Sequence, residues 1–154
     1  MPMCREALIT ALGADDKAEC FDNSTTAKEK GKEFRLENKS KKTICRVKVD
    51  GCLIDDKRTK RCDYLFRICE TEKYFLVELK GNSSLSDAVI QISRTFDFIN
   101  ERLKLSPQYF EGVIVASKVP RANLKFRKVQ EKCYRDKKLK IHIESQKCIR
   151  HIKF

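Results

Sequence analysis

The chain has 154 residues, 41% hydrophobic and 36% charged, and its 34 Lys+Arg outnumber 22 Asp+Glu for a net charge of +12. That length suits one domain with a real core, and the composition argues against wholesale disorder. No segment approaches the roughly 20 consecutive apolar residues of a membrane span.

The positive charge is uneven. Residues 118–154 hold 13 Lys+Arg against 3 Asp+Glu, whereas residues 1–117 hold 21 against 19. Such a basic concentration favours a polyanion, because each neutralised phosphate releases counterions. A merely solvated lysine-rich surface is the alternative. Eight cysteines include no Cys-x-x-Cys pair, and His142 and His151 are the only histidines. A zinc site therefore lacks its usual spacing. No secretory leader is read at the N-terminus, so reduced thiols in a cytoplasmic protein are expected.

Glu6–Leu12 predicts two helical turns that Gly13 stops. Asp15–Lys32 is polar and reads as a loop or a surface helix. Phe34–Leu36 and Thr43–Val49 alternate apolar and polar residues, which predicts a first hairpin across Glu37–Lys42. Asp50-Gly51 is a turn pair, and Cys52–Ile54 resumes an apolar run before the charged loop Asp55–Arg61. Asp50 reads first as a turn former and second as an acidic site residue.

Cys62–Lys80 is the stretch that organises the rest. Tyr64–Ile68 and Tyr74–Leu79 are apolar, β-branched and aromatic runs around a polar break at Glu70–Lys73, the pattern of a β-hairpin. Asp63 starts the first strand, and Glu78 and Lys80 end the second. The start of one strand lies beside the end of the next, and alternation puts Glu78 and Lys80 on one face. Two carboxylates and an ammonium are thus gathered at one end. The carboxylates repel each other unless a cation holds them, and a hard divalent metal suits all-oxygen ligands. An ion pair of Glu78 or Asp63 with Lys80 is the plainer alternative.

Leu85, Ala88, Val89, Ile92, Phe96, Ile99 and Leu103 recur at helical steps and predict an amphipathic helix, with Gln91 at the border of its apolar stripe. Phe110–Ser117 reads as a strand covered on both faces, parallel to its predecessor. Leu124, Val129 and Cys133 mark a helix whose other faces are basic. Leu139–Ile143 alternates as an edge strand, with His142 turned toward solvent or phosphate. Ile149–Phe154 reads as a short segment or a frayed end.

Asp63 followed by Glu78-Leu79-Lys80, fifteen positions on, resembles the PD-(D/E)XK nuclease superfamily. The resemblance spans about Ile44 to Ser117, and Cys62 stands where the superfamily often has proline. It implies an α/β (α+β) fold: a restriction-endonuclease-like αβββαβ core with a mixed central sheet, at about 33–117 of a single domain 1–154, and a basic helix-strand extension over 118–154. It also implies a Mg²⁺- or Mn²⁺-dependent endonuclease-like hydrolase of nucleic acid, with DNA favoured over RNA. By that resemblance Asp63, Glu78 and the Leu79 carbonyl would hold the metal, Lys80 would act on the water or the phosphoryl charge, and Gln91 would support it. Related nucleases often add a glutamate ahead of the first strand; Glu6, Glu19, Glu29 and Glu33 all stay open. The expected phosphate contacts are Arg121, Lys125, Arg127, Lys128, Lys132, Arg135, Lys137 and Lys138. A homodimer stays open, as does a catalytically silent fold that serves as a binding subunit of a defence or repair assembly.

Overall fold

The described chain, residues 2–80, 85–118 and 124–152 of a computed structural model, begins with helix α1 (Pro2–Ala11). Gly13 ends it at a φ of 64°, left-handed backbone that glycine adopts without a Cβ clash. A 3₁₀ turn (Asp15–Cys20) leads into β1 (Phe21–Asp22), β2 (Thr26–Glu29) and β3 (Lys32–Glu37). Then come β4 (Ile44–Lys48), β5 (Tyr64–Ile68) and β6 (Lys73–Lys80). Helix α2 (Leu85–Leu103) connects to β7 (Phe110–Ala116), and α3 (Leu124–Lys137) to β8 (Lys140–Ser145) and β9 (Lys147–His151).

The main sheet is mixed and runs β1-β4-β5-β6-β7-β8. From β1 to β6 the neighbours are antiparallel; β6, β7 and β8 are parallel. The expected order of three antiparallel strands, a helix and a parallel strand is present, in an α+β molecule. The edge strand expected at Leu139–Ile143 is present as β8, Lys140–Ser145, so part of the basic tail belongs to the main sheet.

Two cores follow from strand alternation. On one face Leu65, Tyr74, Leu76, Ile114 and Ile141 pack against Val89, Ile92, Phe96 and Ile99 of α2. On the other, Phe66, Phe75, Val77, Val113 and Val115 pack against Phe34, Leu36 and Cys148 of a second sheet, β2-β3-β9. Phe34 lies 5.2 Å from Phe66 and 5.7 Å from Phe75, centroid to centroid. Covered on both sides, every residue of β7 is buried, which explains its apolar run from Val113 to Ala116. Gly112 precedes that run, and a Cβ there would stand 2.9 Å from both Ile141 Cγ1 and Ile92 Cγ2.

Three expectations need correction. Phe34–Leu36 does not pair with Thr43–Val49, since β3 folds back on β2 through Lys30 and Gly31 at φ 47° and 79°. That two-residue turn closes more readily than the longer connection and frees β3 to cover the second face of the main sheet. The loop or helix expected over residues 15–32 therefore contains two short strands. Of the two readings of the last residues, a short segment is present over residues 149–151: β9 pairs in parallel with β3, Phe34 opposite Cys148. The cysteines are not all reduced either, because Cys4 bonds Cys69 and Cys20 bonds Cys52.

Disulfides persist in oxidising surroundings, and with two of them present the expectation that every thiol is reduced does not hold. Cys45, Cys62, Cys133 and Cys148 are free and buried, packing as small hydrophobes. Among the described residues no helix is long and apolar enough to cross a membrane.

Candidate active site at the end of the central hairpin

The β5–β6 register places Tyr64 opposite Val77, so Asp63 and Glu78 stand at the next pair of positions. The Asp63 amide donates to the Val77 carbonyl at 3.1 Å, continuing the ladder beyond the strand. The Leu79 amide donates to Asp63 Oδ2 at 2.8 Å. The Asp63 and Glu78 carboxyl groups act on each other's acidity. Two carboxylates facing each other across strands destabilise the pair when both are ionised. Protonation of one of them, or a bound cation, would relieve that conflict.

Burial is the largest cause of their altered acidity. It pushes Asp63 up to about 6, against the opposing pull of the Leu79 amide, with the charges of Glu29 and Asp50 pushing the same way as burial. It pushes Glu78 well above the carboxylate range, Asp63 adding to the effect and Lys80 opposing it. Glu78 is 4% exposed, and its Oε1 has no hydrogen-bond partner among the described residues. A buried acceptor without a donor is unfavourable. This oxygen is what a bound cation would satisfy.

Lys80, on the same face as Glu78, donates to Gln91 Oε1 at 3.0 Å and lies 3.9 Å from Glu78 Oε2. The Gln91 amide donates in turn to the Arg61 carbonyl at 3.2 Å. One turn along α2, Thr95 Oγ1 donates to the Gln91 carbonyl and accepts the Cys62 amide, both at 2.8 Å. Helix α2 thus fixes both the lysine and the entry to β5. Asp63, Glu78, Lys80 and Gln91 are brought together as expected, and the Leu79 backbone is part of the cluster.

Of the four open glutamates, Glu29 at the end of β2 is the one whose charge reaches Asp63. Asp50 is held by Arg61, whose Nε donates to its Oδ1 at 2.7 Å. Neither completes a tight cluster: among the described residues no three of these carboxylates bring their oxygens within 4.8 Å of one another. Glu19, Cys20 and Cys52 do meet that limit, but both sulfurs are spent in a disulfide and offer no thiolate.

Beside Lys80 opens a cavity of about 410 Å³ lined by Asp50, residues 57–61, Lys80, Asp87 and Gln91. The loop's part in this wall was missed, although its signal, Lys57-Arg58-Thr59-Lys60-Arg61 just before Cys62-Asp63, is plain in the sequence.

No family model, no curated protein and no solved structure matches this chain.

The C-terminal cations are only partly available. Lys125, Arg127, Lys128, Lys132, Arg135 and Lys138 are exposed. Lys137 is committed to packing α3 on α2, 2.6 Å from both Asp97 Oδ2 and Ser93 Oγ. Lys138 lies over the Tyr134 ring at 5.5 Å. Arg121 falls outside the described residues. His142 does not simply face solvent: its Nε2 is 3.0 Å from Glu111 Oε1, which Arg150 also approaches at 2.8 Å. The buried Glu111 carboxylate is met by the Arg150 guanidinium and the His142 ring, and these contacts tie β7, β8 and β9 together.

Proposed function

We propose that this protein is a metal-dependent phosphodiesterase of nucleic acids, DNA in preference to RNA, built on a PD-(D/E)XK-like core. The observation that carries the proposal is the buried Asp63–Glu78 pair with the unpartnered Glu78 Oε1 beside an anchored Lys80. The order of β4, β5, β6, α2 and β7 supports it as the arrangement the resemblance implies.

Hydrolysis of a phosphodiester needs a directed water, neutralisation of charge growing on the phosphoryl oxygens, and help for the departing oxygen. Asp63, Glu78 and the Leu79 backbone carbonyl would hold a Mg²⁺ or Mn²⁺ ion. What such an ion supplies when bound is Lewis-acid polarisation and charge neutralisation. Hard oxygen ligands fit either ion. Lys80, fixed by Gln91, points its N–H donors at the phosphoryl group and orients the attacking water. Gln91 and Thr95 keep that geometry by tying α2 to the backbone at Arg61 and Cys62. Outside the carboxyl pair, the cations lining the adjoining cavity attract the polyanion.

The test is cleavage of plasmid DNA with Mg²⁺ or Mn²⁺ against EDTA, on the wild type, Lys80→Ala and Asp63→Asn. Metal-dependent nicking by the wild type, lost in both variants, is expected. Equal nicking by all three would overturn the reading. Duplex binding without any cleavage would favour the silent binding subunit.

A further inference from the structure

The expected nucleic-acid surface lies on α3, yet α2 stands between α3 and the carboxyl pair. Asp87 and Gln91 of α2 line the cavity next to Lys80. Val89, Ile90, Ser93 and Arg94 of the same helix face Val129, Lys132, Cys133 and Lys137 of α3 across a different groove. A helix with its side chains is about 10 Å thick, so the α3 cations are not the wall of the site. Loop 57–61 is.

That loop is shaped before any ligand arrives. Arg61 turns inward: its Nη1 donates to the Asp56 carbonyl at 2.6 Å and the Thr59 carbonyl at 2.8 Å, while its Nε holds Asp50. Asp56 accepts the Arg58 amide at 2.9 Å and the Thr59 hydroxyl at 3.1 Å. With Arg61 engaged by the loop, Lys57, Arg58 and Lys60 are left on its exposed side. Five cationic side chains, counting Arg61 and Lys80, and two carboxylates line the cavity. The excess is positive and borders the phosphate-cleaving centre.

Among the described residues the lining includes no aromatic ring. Proteins that hold single strands stack bases on aromatic side chains along a basic groove. Cations without stacking platforms grip phosphates and leave the bases paired. We infer that loop 57–61 is a clamp for the phosphate backbone of a nucleic-acid duplex, with Lys57, Arg58 and Lys60 making the contacts and Arg61 bracing them. This rests on the proposed phosphodiesterase reading and names the form of its substrate.

The experiment measures binding of the full chain in EDTA, where cleavage is silent, to a 30-base-pair DNA duplex and to one of its single strands. Wild type is compared with the triple variant Lys57→Ser/Arg58→Ser/Lys60→Ser and with Lys125→Ser/Arg127→Ser/Lys128→Ser on α3. Each lost phosphate contact lowers the slope of log affinity against log salt by about 0.9 on B-DNA, so the loop variant is expected to lose up to about 2.7. The α3 variant should lose less, and wild type should bind the duplex more tightly than the strand. A slope unchanged in the loop variant, tighter binding of the single strand, or no duplex binding by wild type would overturn the clamp. Arg58→Glu alone, checked for an unshifted melting curve, guards against a misfolded triple variant and should weaken duplex binding more than Arg58→Ser. Mg²⁺-dependent cleavage that survives intact in the loop variant, with an unchanged slope, removes the clamp and leaves the phosphodiesterase. A lost slope in a protein that never cleaves does the reverse.

Discussion

Gln91 accepts the Lys80 ammonium at 3.0 Å and spends its own amide on the Arg61 carbonyl. The lysine is therefore aimed by a side chain that never needs to touch substrate. Gln91→Ala should slow single-turnover cleavage by about 10–100-fold, the range in which small misplacements act. Mg²⁺ affinity by calorimetry should stay at the wild-type value. Loss of both together would mean that Gln91 supports the fold rather than the lysine.

The carboxyl pair makes stability depend on pH with a definite sign. Both groups are raised in the folded protein, so both hold their protons more tightly folded than unfolded. Their contribution is fully present below the ordinary carboxylate range of about pH 4. It is lost as pH rises through about 6 for Asp63 and higher still for Glu78. Glu78→Gln should consequently melt higher than wild type at pH 8, by about 1–3 kcal/mol or roughly 2–10 °C, and match it near pH 4. A wild type that is the more stable of the two at pH 8 without metal would contradict this.

If Asp63 and Glu78 hold a metal as proposed, its uptake must displace the proton that burial favours on Glu78. Titrating Mg²⁺ near pH 7 in two buffers of different ionisation enthalpy should show release of about one proton per ion. Asp63→Asn should abolish the binding heat. Binding without proton release would place the ion elsewhere.

The disulfides can be counted and weighed. Alkylation of the denatured, unreduced chain should label Cys45, Cys62, Cys133 and Cys148, and all eight cysteines after reduction. The bridges join residues separated by 65 and 32 positions, and removing either should cost about 2–4 kcal/mol in denaturant titrations. Labelling of all eight before reduction would show that neither bond forms.

Gly112→Ala tests the packing of β7. The new methyl would meet Ile141 and Ile92 at 2.9 Å, both buried in the core. Overpacking of this kind costs about 1–3 kcal/mol. An unchanged denaturation midpoint would show that the isoleucines yield freely.

The parts legible in the sequence are those where local pattern and tertiary demand agree. The hairpin holding Asp63 and Glu78, the stripe of α2 and the apolar run of β7 each follow from periodicity that burial then enforces. What was lost depended on distant partners. Phe34 and Leu36 read as one arm of a hairpin with β4, because alternation alone does not say which sheet a strand joins. Ile149 gave no hint that Arg35 would lie opposite it. Arg61 is charged in a charged loop, and its bracing role depends on carbonyls that composition cannot reveal. The concentration of lysine and arginine after Ser117 points to α3, whereas the fewer charges of Lys57, Arg58 and Lys60 line the cavity beside Lys80.

The pairing of β3 with β9 has a consequence for the order of events at the ribosome. Glu33 finds its partner only when Lys147 has been made, so the second sheet cannot close while the chain is being threaded out. Until then Phe66, Phe75 and Val77 lack part of their cover, and Phe34 lacks Cys148 beside it. Closing so long a loop is slow, and an uncovered aromatic face invites association between chains. A nascent chain stalled short of β9 should therefore recruit holding chaperones, whereas one released beyond His151 should not.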